Sequence, residues 1–247
     1  EGVRVGPYSV IGPEVKIAAG TTVHAHVVIE GRTTIGAGCE IFPNAVIGMS
    51  PQDKKEKHGG GSLEIGDRNL MREFVTIHPG TEHGGGITRI GDDNFFLIGV
   101  HLGHDVTVGN GVVLSNLTSI AGHVEIHDRV TGGAMSAVHQ FGRVGTMAML
   151  GAGAMASKDV PPYSLVQGDR ACLIGLNRVG LERREVPKEV IQSLRRAFKI
   201  LFFTDPPFDM AELVAKVREE VEPYQELEKV LHFIEESRRG VCLSRKA

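Results

Sequence analysis

The chain is expected to be mainly β: a parallel β-helix of hexapeptide repeats followed by a C-terminal α-helical domain. Three observations predict this. An aliphatic side chain recurs every six residues over about two-thirds of the chain. The composition pairs 32 glycines with no tryptophan and only 5% aromatic residues, which suits a glycine-punctuated repeat better than a globular core built around large rings. Beyond residue 187 the spacing becomes helical.

Steps of six from Val5 give Ile11, Ile17, Val23, Ile29, Ile35, Ile41 and Ile47. Four residues after each aliphatic stands a small or β-branched side chain: Ser9, Val15, Thr21, Val27, Thr33, Cys39 and Ala45. The register resumes at Ile65, Met71 and Ile77. It then changes phase and runs from Ile90 through Phe96, Leu102, Val108, Leu114, Ile120 and Ile126. After a lapse at Gly132 it continues through Val138 and Val144 to Leu150. An ordinary strand has period two and a helix 3.6, so a period of six points to short strands joined at corners. Three hexads close one coil, and residues eighteen apart stack at roughly 4.8 Å.

Residues 1–164 are therefore read as the β-helix, with loops 48–64 and 82–89 extruded where the repeat is interrupted. Residues 165–186 form a connecting segment and 187–247 the helical domain. Its helices are expected in "PKEVIQSLRRAFKILFF", "DMAELVAKVREEVE" and "YQELEKVLHFIEESRRG", with Pro187 in the first turn and Pro206 and Pro207 separating the first two. Arg195, Arg196 and Lys199 place a basic face on the first helix, either simply solvated or a landing surface for an acidic partner.

A net charge of −3 argues against a general nucleic-acid binder. Cys39, Cys172 and Cys242 are scattered and odd in number, which suits a reducing compartment and gives no disulfide or zinc framework. No run is apolar enough to span a bilayer and no signal-peptide pattern is present, so a cytoplasmic location is expected. The first residue is Glu1 rather than methionine, which leaves open whether residues precede it.

The stretch "VHLGHDVTVGNG" (100–111) carries His101, His104 and Asp105. Leu102, Ile120 and Val138 are eighteen apart, so their hexads stack. His101 falls at the corner before His104, and His78, His101, His104, His123 and His139 gather on one outer face or its edge. None is expected in the interior. Three readings compete. A zinc site of the carbonic-anhydrase type needs three or four aimed ligands, and that family's ligand spacing is not matched. A structural β-helix without activity leaves the extruded loops and the histidine cluster unexplained. The third is general-base catalysis, with His104 taking a proton from a hydroxyl and Asp105 fixing its tautomer. Gly122, eighteen residues on, would offer an open amide to an oxyanion. That set describes acyl transfer by direct attack of the acceptor.

The segments "IGDRNLMREFVTIHPGT" (65–81), "HLGHDVTVGNG" (101–111), "AGHVEI" (121–126), "SAVHQFGRVG" (136–145) and "DVPPYSLVQGDRACLIGLNRVGLERR" (159–184) together resemble the bacterial UDP-N-acetylglucosamine O-acyltransferases of lipid A biosynthesis, within the hexapeptide-repeat acyltransferases. The resemblance covers essentially the whole chain. It implies a left-handed coil and transfer of a 3-hydroxyacyl chain from acyl carrier protein to the sugar 3-hydroxyl. In that reading His104 is the base, Asp105 its orienter and Gly122 the oxyanion donor. Asp53, Lys55, His101, His123 and Gln140 would contact the sugar nucleotide, and Asn177 and Arg184 would reach it from an adjacent subunit of a homotrimer. Arg183 and the basic helix would meet the carrier protein. Ala152 would end an acyl-chain ruler, small enough for a medium or longer chain. No metal or diffusible cofactor is implied. Pro79 and Val179 depart from the family's usual arginine and glutamate, and the paired glycines of "TGGAMSAVHQF" fall one place early. The alternatives are a 3-amino sugar acceptor and the later N-acyltransferase, which normally carries an extra N-terminal domain where only four residues precede the first hexad here.

Overall fold

The structure is a computed structural model that describes residues 1–56, 60–204 and 209–244. Among these residues the strands form three sheets of ten, eight and seven, and within the hexads each strand is bonded to the one three places on in sequence. Most strands are only two residues long, as a corner every six residues requires. Pairing is parallel, with register shifts of eighteen residues such as Leu102↔Ile120 and Ile120↔Val138. The result is a three-sided parallel β-helix.

Its interior is the aliphatic column read from the period. Ile29, Ile35, Ile41, Ile47, Ile77, Leu102 and Leu114 are buried, with Val27, Thr33, Cys39 and Ala45 between them. Each fully buried branched side chain contributes about 1.5–3 kcal/mol over its exposed state. In the first coil Val5, Val10 and Ile11 are exposed. Corners turn through a residue with positive φ, supplied by glycine at some coils and by Asp105, His123 or Phe141 at others.

Both interruptions leave the helix without breaking it, and both end sooner than expected, since residues 62–64 and 87–89 already belong to the strands Ser62–Ile65 and Ile87–Ile90. Ile35 pairs with Ile65, thirty residues on, and Ile65 with Ile90, twenty-five on, so the extra residues are extruded and the stack resumes in phase.

Residues 165–186 hold structure that the hexads do not foretell. Ser164–Gln167 adds a parallel strand beside Met149–Leu150, and Cys172–Leu176 returns antiparallel to it. A short helix α1 (Arg178–Arg183) follows, then α2 (Lys188–Phe202), α3 (Met210–Glu220) and α4 (Gln225–Glu235). Pro187 is the N-cap of α2 rather than a first-turn residue, while Pro206 and Pro207 lie outside the described residues. The third helical stretch ends at Glu235, short of the expected Gly240. Beyond it the chain turns back to the β-helix: the Asp159 amide donates to the Gly240 carbonyl (3.0 Å), the Cys242 amide to the Asp159 carbonyl (2.8 Å) and the Leu173 amide to the Leu243 carbonyl (2.9 Å). No helix among the described residues is long and apolar enough to cross a membrane.

Candidate active site

The eighteen-residue stacking builds the site as columns on one corner of the prism. The corner after the strand His101–Leu102 holds His104 and Asp105, the next coil places Gly122 and His123 over them, and the third adds Gln140 and Phe141. The columns are bonded through the backbone: the His123 amide donates to the His104 carbonyl (2.9 Å) and the Phe141 amide to the Gly122 carbonyl (3.1 Å).

His104 and Asp105 form a dyad. Nδ1 of His104 lies 2.8 Å from Oδ2 of Asp105, whose side chain is only 3% exposed. The carboxylate is an acceptor, so in the neutral ring Nδ1 carries the proton and Nε2 keeps a free lone pair. That nitrogen lies beside Gly122: a Cβ on the glycine would stand 2.6 Å from it. Among the described residues the Gly122 amide has no hydrogen-bond acceptor. A proton acceptor and an unengaged N–H donor therefore sit side by side.

His123 meets the His104 ring edge-on, centroids 5.0 Å apart, and stacks on Phe141 at 4.5 Å. Burial pushes its pKa below the usual histidine value, partly offset by the negative charge of Asp105. A neutral His123 is suited to hydrogen bonding rather than ion pairing. His104, Asp105 and His123 place atoms of metal-ligating type within 4.8 Å of one another. The Asp105 carboxylate is, however, already engaged by donors at both oxygens. Oδ1 accepts from the Thr81 amide (3.0 Å), while Oδ2 accepts from the Thr81 hydroxyl (2.7 Å) and from His104. The arrangement is a hydrogen-bonded dyad.

The extruded loops wall this corner. Gly84 of the second loop packs so closely that a Cβ there would lie 2.3 Å from Oδ2 of Asp105 and 2.4 Å from Cε1 of His123. The Glu82 amide donates to the Glu56 carboxylate of the first loop at 3.1 Å, tying the two loops together.

A relative from Thermodesulfovibrio yellowstonii, an acyl-[acyl-carrier-protein]–UDP-N-acetylglucosamine O-acyltransferase, is 45% identical over 97% of this chain and 92% of its own. The chain belongs to that acyltransferase family. Residues 159–242 match the family model described as UDP N-acetylglucosamine O-acyltransferase, domain 2. Among solved structures, LpxA from Acinetobacter baumannii superposes with a TM-score of 0.93 at 37% identity, covering 97% of this chain and 93% of that one. The UDP-N-acetylglucosamine acyltransferase from Campylobacter jejuni gives 0.85 at 35% identity, covering 99% and 96%.

Within the acyltransferase, the other expected site residues divide into two groups. Asp53 is close enough to bear electrostatically on His123, and its Oδ1 accepts from the Lys55 amide at 2.9 Å. Gln140 is exposed beside His139 on the same corner. His101 is not at a corner as expected but within the strand, where Nδ1 meets the Thr76 hydroxyl at 2.8 Å. Burial, followed by the neighbouring His78, holds its pKa below the ordinary value. His78 corrects the expectation that all five histidines lie outside the core. It is 7% exposed and its Nδ1 meets the Met49 carbonyl at 3.0 Å, because residues entering the first loop cover it.

The second group lies elsewhere in the chain. Ala152 is exposed at the opposite corner of the second sheet, three coils beyond His104. Asn177 caps α1, its Oδ1 accepting from the Gly180 amide (3.1 Å) and its Nδ2 donating to the Met147 carbonyl (2.9 Å). Arg183 and Arg184 are exposed at the end of α1.

Sequence reasoning missed Thr81, Gly84 and Phe141. Phe141 was accessible, since two steps of eighteen from Asp105 land on it in the column that holds His123. Thr81 and Gly84 stand at the interruption, where the period carries no information. A groove of about 490 Å³ also opens beside His123 and Phe141, bordered by Arg143 and by Glu236, Arg238 and Arg239 after α4. It exists because the tail folds back, which helical spacing does not announce.

Proposed function

We propose that this acyltransferase moves a 3-hydroxyacyl chain from acyl carrier protein to the 3-hydroxyl of UDP-N-acetylglucosamine, the first step of lipid A biosynthesis, in the cytoplasm. The observation that carries the mechanism is the His104–Asp105 contact, which leaves Nε2 unprotonated beside the Gly122 amide. Nε2 takes the proton of the sugar hydroxyl as its oxygen attacks the thioester carbonyl carbon. Asp105 stabilises the resulting imidazolium, and the Gly122 N–H donates to the oxyanion. Collapse breaks the carbon–sulfur bond, and the departing thiolate takes the proton from His104. No metal or diffusible cofactor enters this scheme.

In this reading Asp53, Lys55, His101, His123 and Gln140 serve the sugar nucleotide. Asn177, Arg183 and Arg184 act from a neighbouring copy in a homotrimer of left-handed coils. Supporting this assembly, Phe74, Ile98, Leu117 and Met135 are exposed along the corner that continues to Ala152, an apolar ridge suited to packing beside another copy. The ruler function of Ala152 belongs to that junction. Arg195, Arg196 and Lys199 are exposed on α2 and, with Arg183, fit an acidic carrier protein.

The test is incubation of the protein with radiolabelled UDP-N-acetylglucosamine and a panel of 3-hydroxyacyl carrier proteins. An ester at the 3-hydroxyl is expected. Acylation of a 3-amino analogue alone, or of neither sugar, would contradict the proposal.

A further inference from the structure

We infer that Thr81 is a positioning residue for the catalytic dyad, and this rests on the general-base reading of His104. Thr81 is 2% exposed and comes from the turn that leads into the second extruded loop. Its amide lies 3.0 and 3.2 Å from the two carboxylate oxygens of Asp105, and its hydroxyl donates to Oδ2 at 2.7 Å. Its own carbonyl accepts from the amides of Gly84 (3.2 Å) and Gly86 (2.9 Å), which closes the loop over the dyad. One residue thus holds the carboxylate with its side chain and the covering loop with its backbone.

The physical need for such a clamp lies in Asp105. A buried carboxylate is costly unless its oxygens are paired. It can orient His104 only if it does not rotate about its own side-chain bond. The two Thr81 donors fix that rotation and keep Oδ2 toward Nδ1 of His104. The hydroxyl also shares the negative charge of Oδ2 with the imidazole. Without it, Oδ2 holds the imidazolium more tightly, so a higher pH is needed to keep the base neutral.

The experiment compares Thr81→Val and Thr81→Ser with the wild type. It reads kcat, KM for UDP-N-acetylglucosamine, the pH profile of kcat/KM and the melting temperature. Thr81→Val keeps the backbone contacts and removes only the hydroxyl. It should lower kcat roughly tenfold or more, the scale on which losing the hydrogen-bond partner of a metal-ligating histidine acts. KM should stay near the wild-type value, and the acid limb of the profile should move to higher pH. Thr81→Ser should recover most of kcat and return the limb to its place. If Thr81→Val does not fold, Thr81→Ala against Thr81→Ser makes the same comparison. A hydroxyl-free variant with wild-type kcat and an unmoved acid limb would overturn the inference, as would a serine variant no better than the hydroxyl-free one. His104→Ala, assayed alongside, separates the two claims. If it stays active, the base reading itself fails. If it is inactive while Thr81→Val is normal, only the role of Thr81 fails.

Discussion

Gly122 lies against the imidazole of His104, one coil above it, so closely that a Cβ on the glycine would stand 2.6 Å from Nε2 and 2.7 Å from Cε1. The ring cannot yield freely, because its other nitrogen is held by Asp105 at 2.8 Å. Gly122→Ala should therefore displace the base and screen the amide together. A loss of turnover of at least about 10²-fold is expected, the scale of removing one oxyanion donor, with the melting temperature nearly unchanged. An alanine variant of normal activity would show that neither group works from this position.

Gly84 makes the same kind of approach from the loop side. Its Cβ would meet Asp105 and His123, and Asp105 is fixed by Thr81. Gly84→Ala should push the second loop off the dyad and lower kcat, while the β-helix keeps its stability. Circular dichroism and a steady-state assay check this together, and equal losses of fold and activity would contradict it.

The β-helix was legible in the sequence because its core is a column: a side chain at each sixth position can be buried only if every coil turns alike. The same arithmetic located His104, Asp105, Gly122 and His123 on one corner, since residues eighteen apart must stack. It failed where the period lapses. Thr81 and Gly84 belong to an extrusion whose path is set by hydrogen bonds to Asp105, a partner that no spacing relates to them. The repeat places His78 on the surface because it cannot show that residues entering the first loop fold over it. The C-terminal tail was read as the end of a helix, because Ser237 meets its partner Asp159 only in three dimensions.

That tail contact leads to a stability prediction. Asp159 is 1% exposed and accepts from the Arg143 amide (3.0 Å) and the Ser237 hydroxyl (2.7 Å). Asp159→Ala strands both donors and should cost about 1–3 kcal/mol, read as a lower denaturation midpoint and faster proteolysis near Gly240. Ser237→Ala should cost less. An Asp159→Ala midpoint equal to wild type would remove the clasp from the account.

Burial holds His101, His123 and His127 below the ordinary histidine value of 6.5. Below that pH the unfolded chain takes up protons that the fold resists, so ν is larger for the unfolded state and stability rises with pH. Stability is therefore full above about pH 6.5 and is lost as the pH falls toward the depressed folded values. Urea midpoints at pH 7.5 and 5.5 should differ in that sense, and His101→Asn should flatten the slope. A midpoint that rises on acidification would contradict the assignment.

The central claim is that the His104 imidazole is the general base, and a single-turnover comparison of wild type with His104→Ala tests it most directly. The label would be on UDP-N-acetylglucosamine and the donor a 3-hydroxyacyl carrier protein. The account predicts a rate lower by about 10²–10⁴-fold or more, with folded structure and melting temperature retained, because the side chain lies outside the core. A rate within a few-fold of wild type would contradict it.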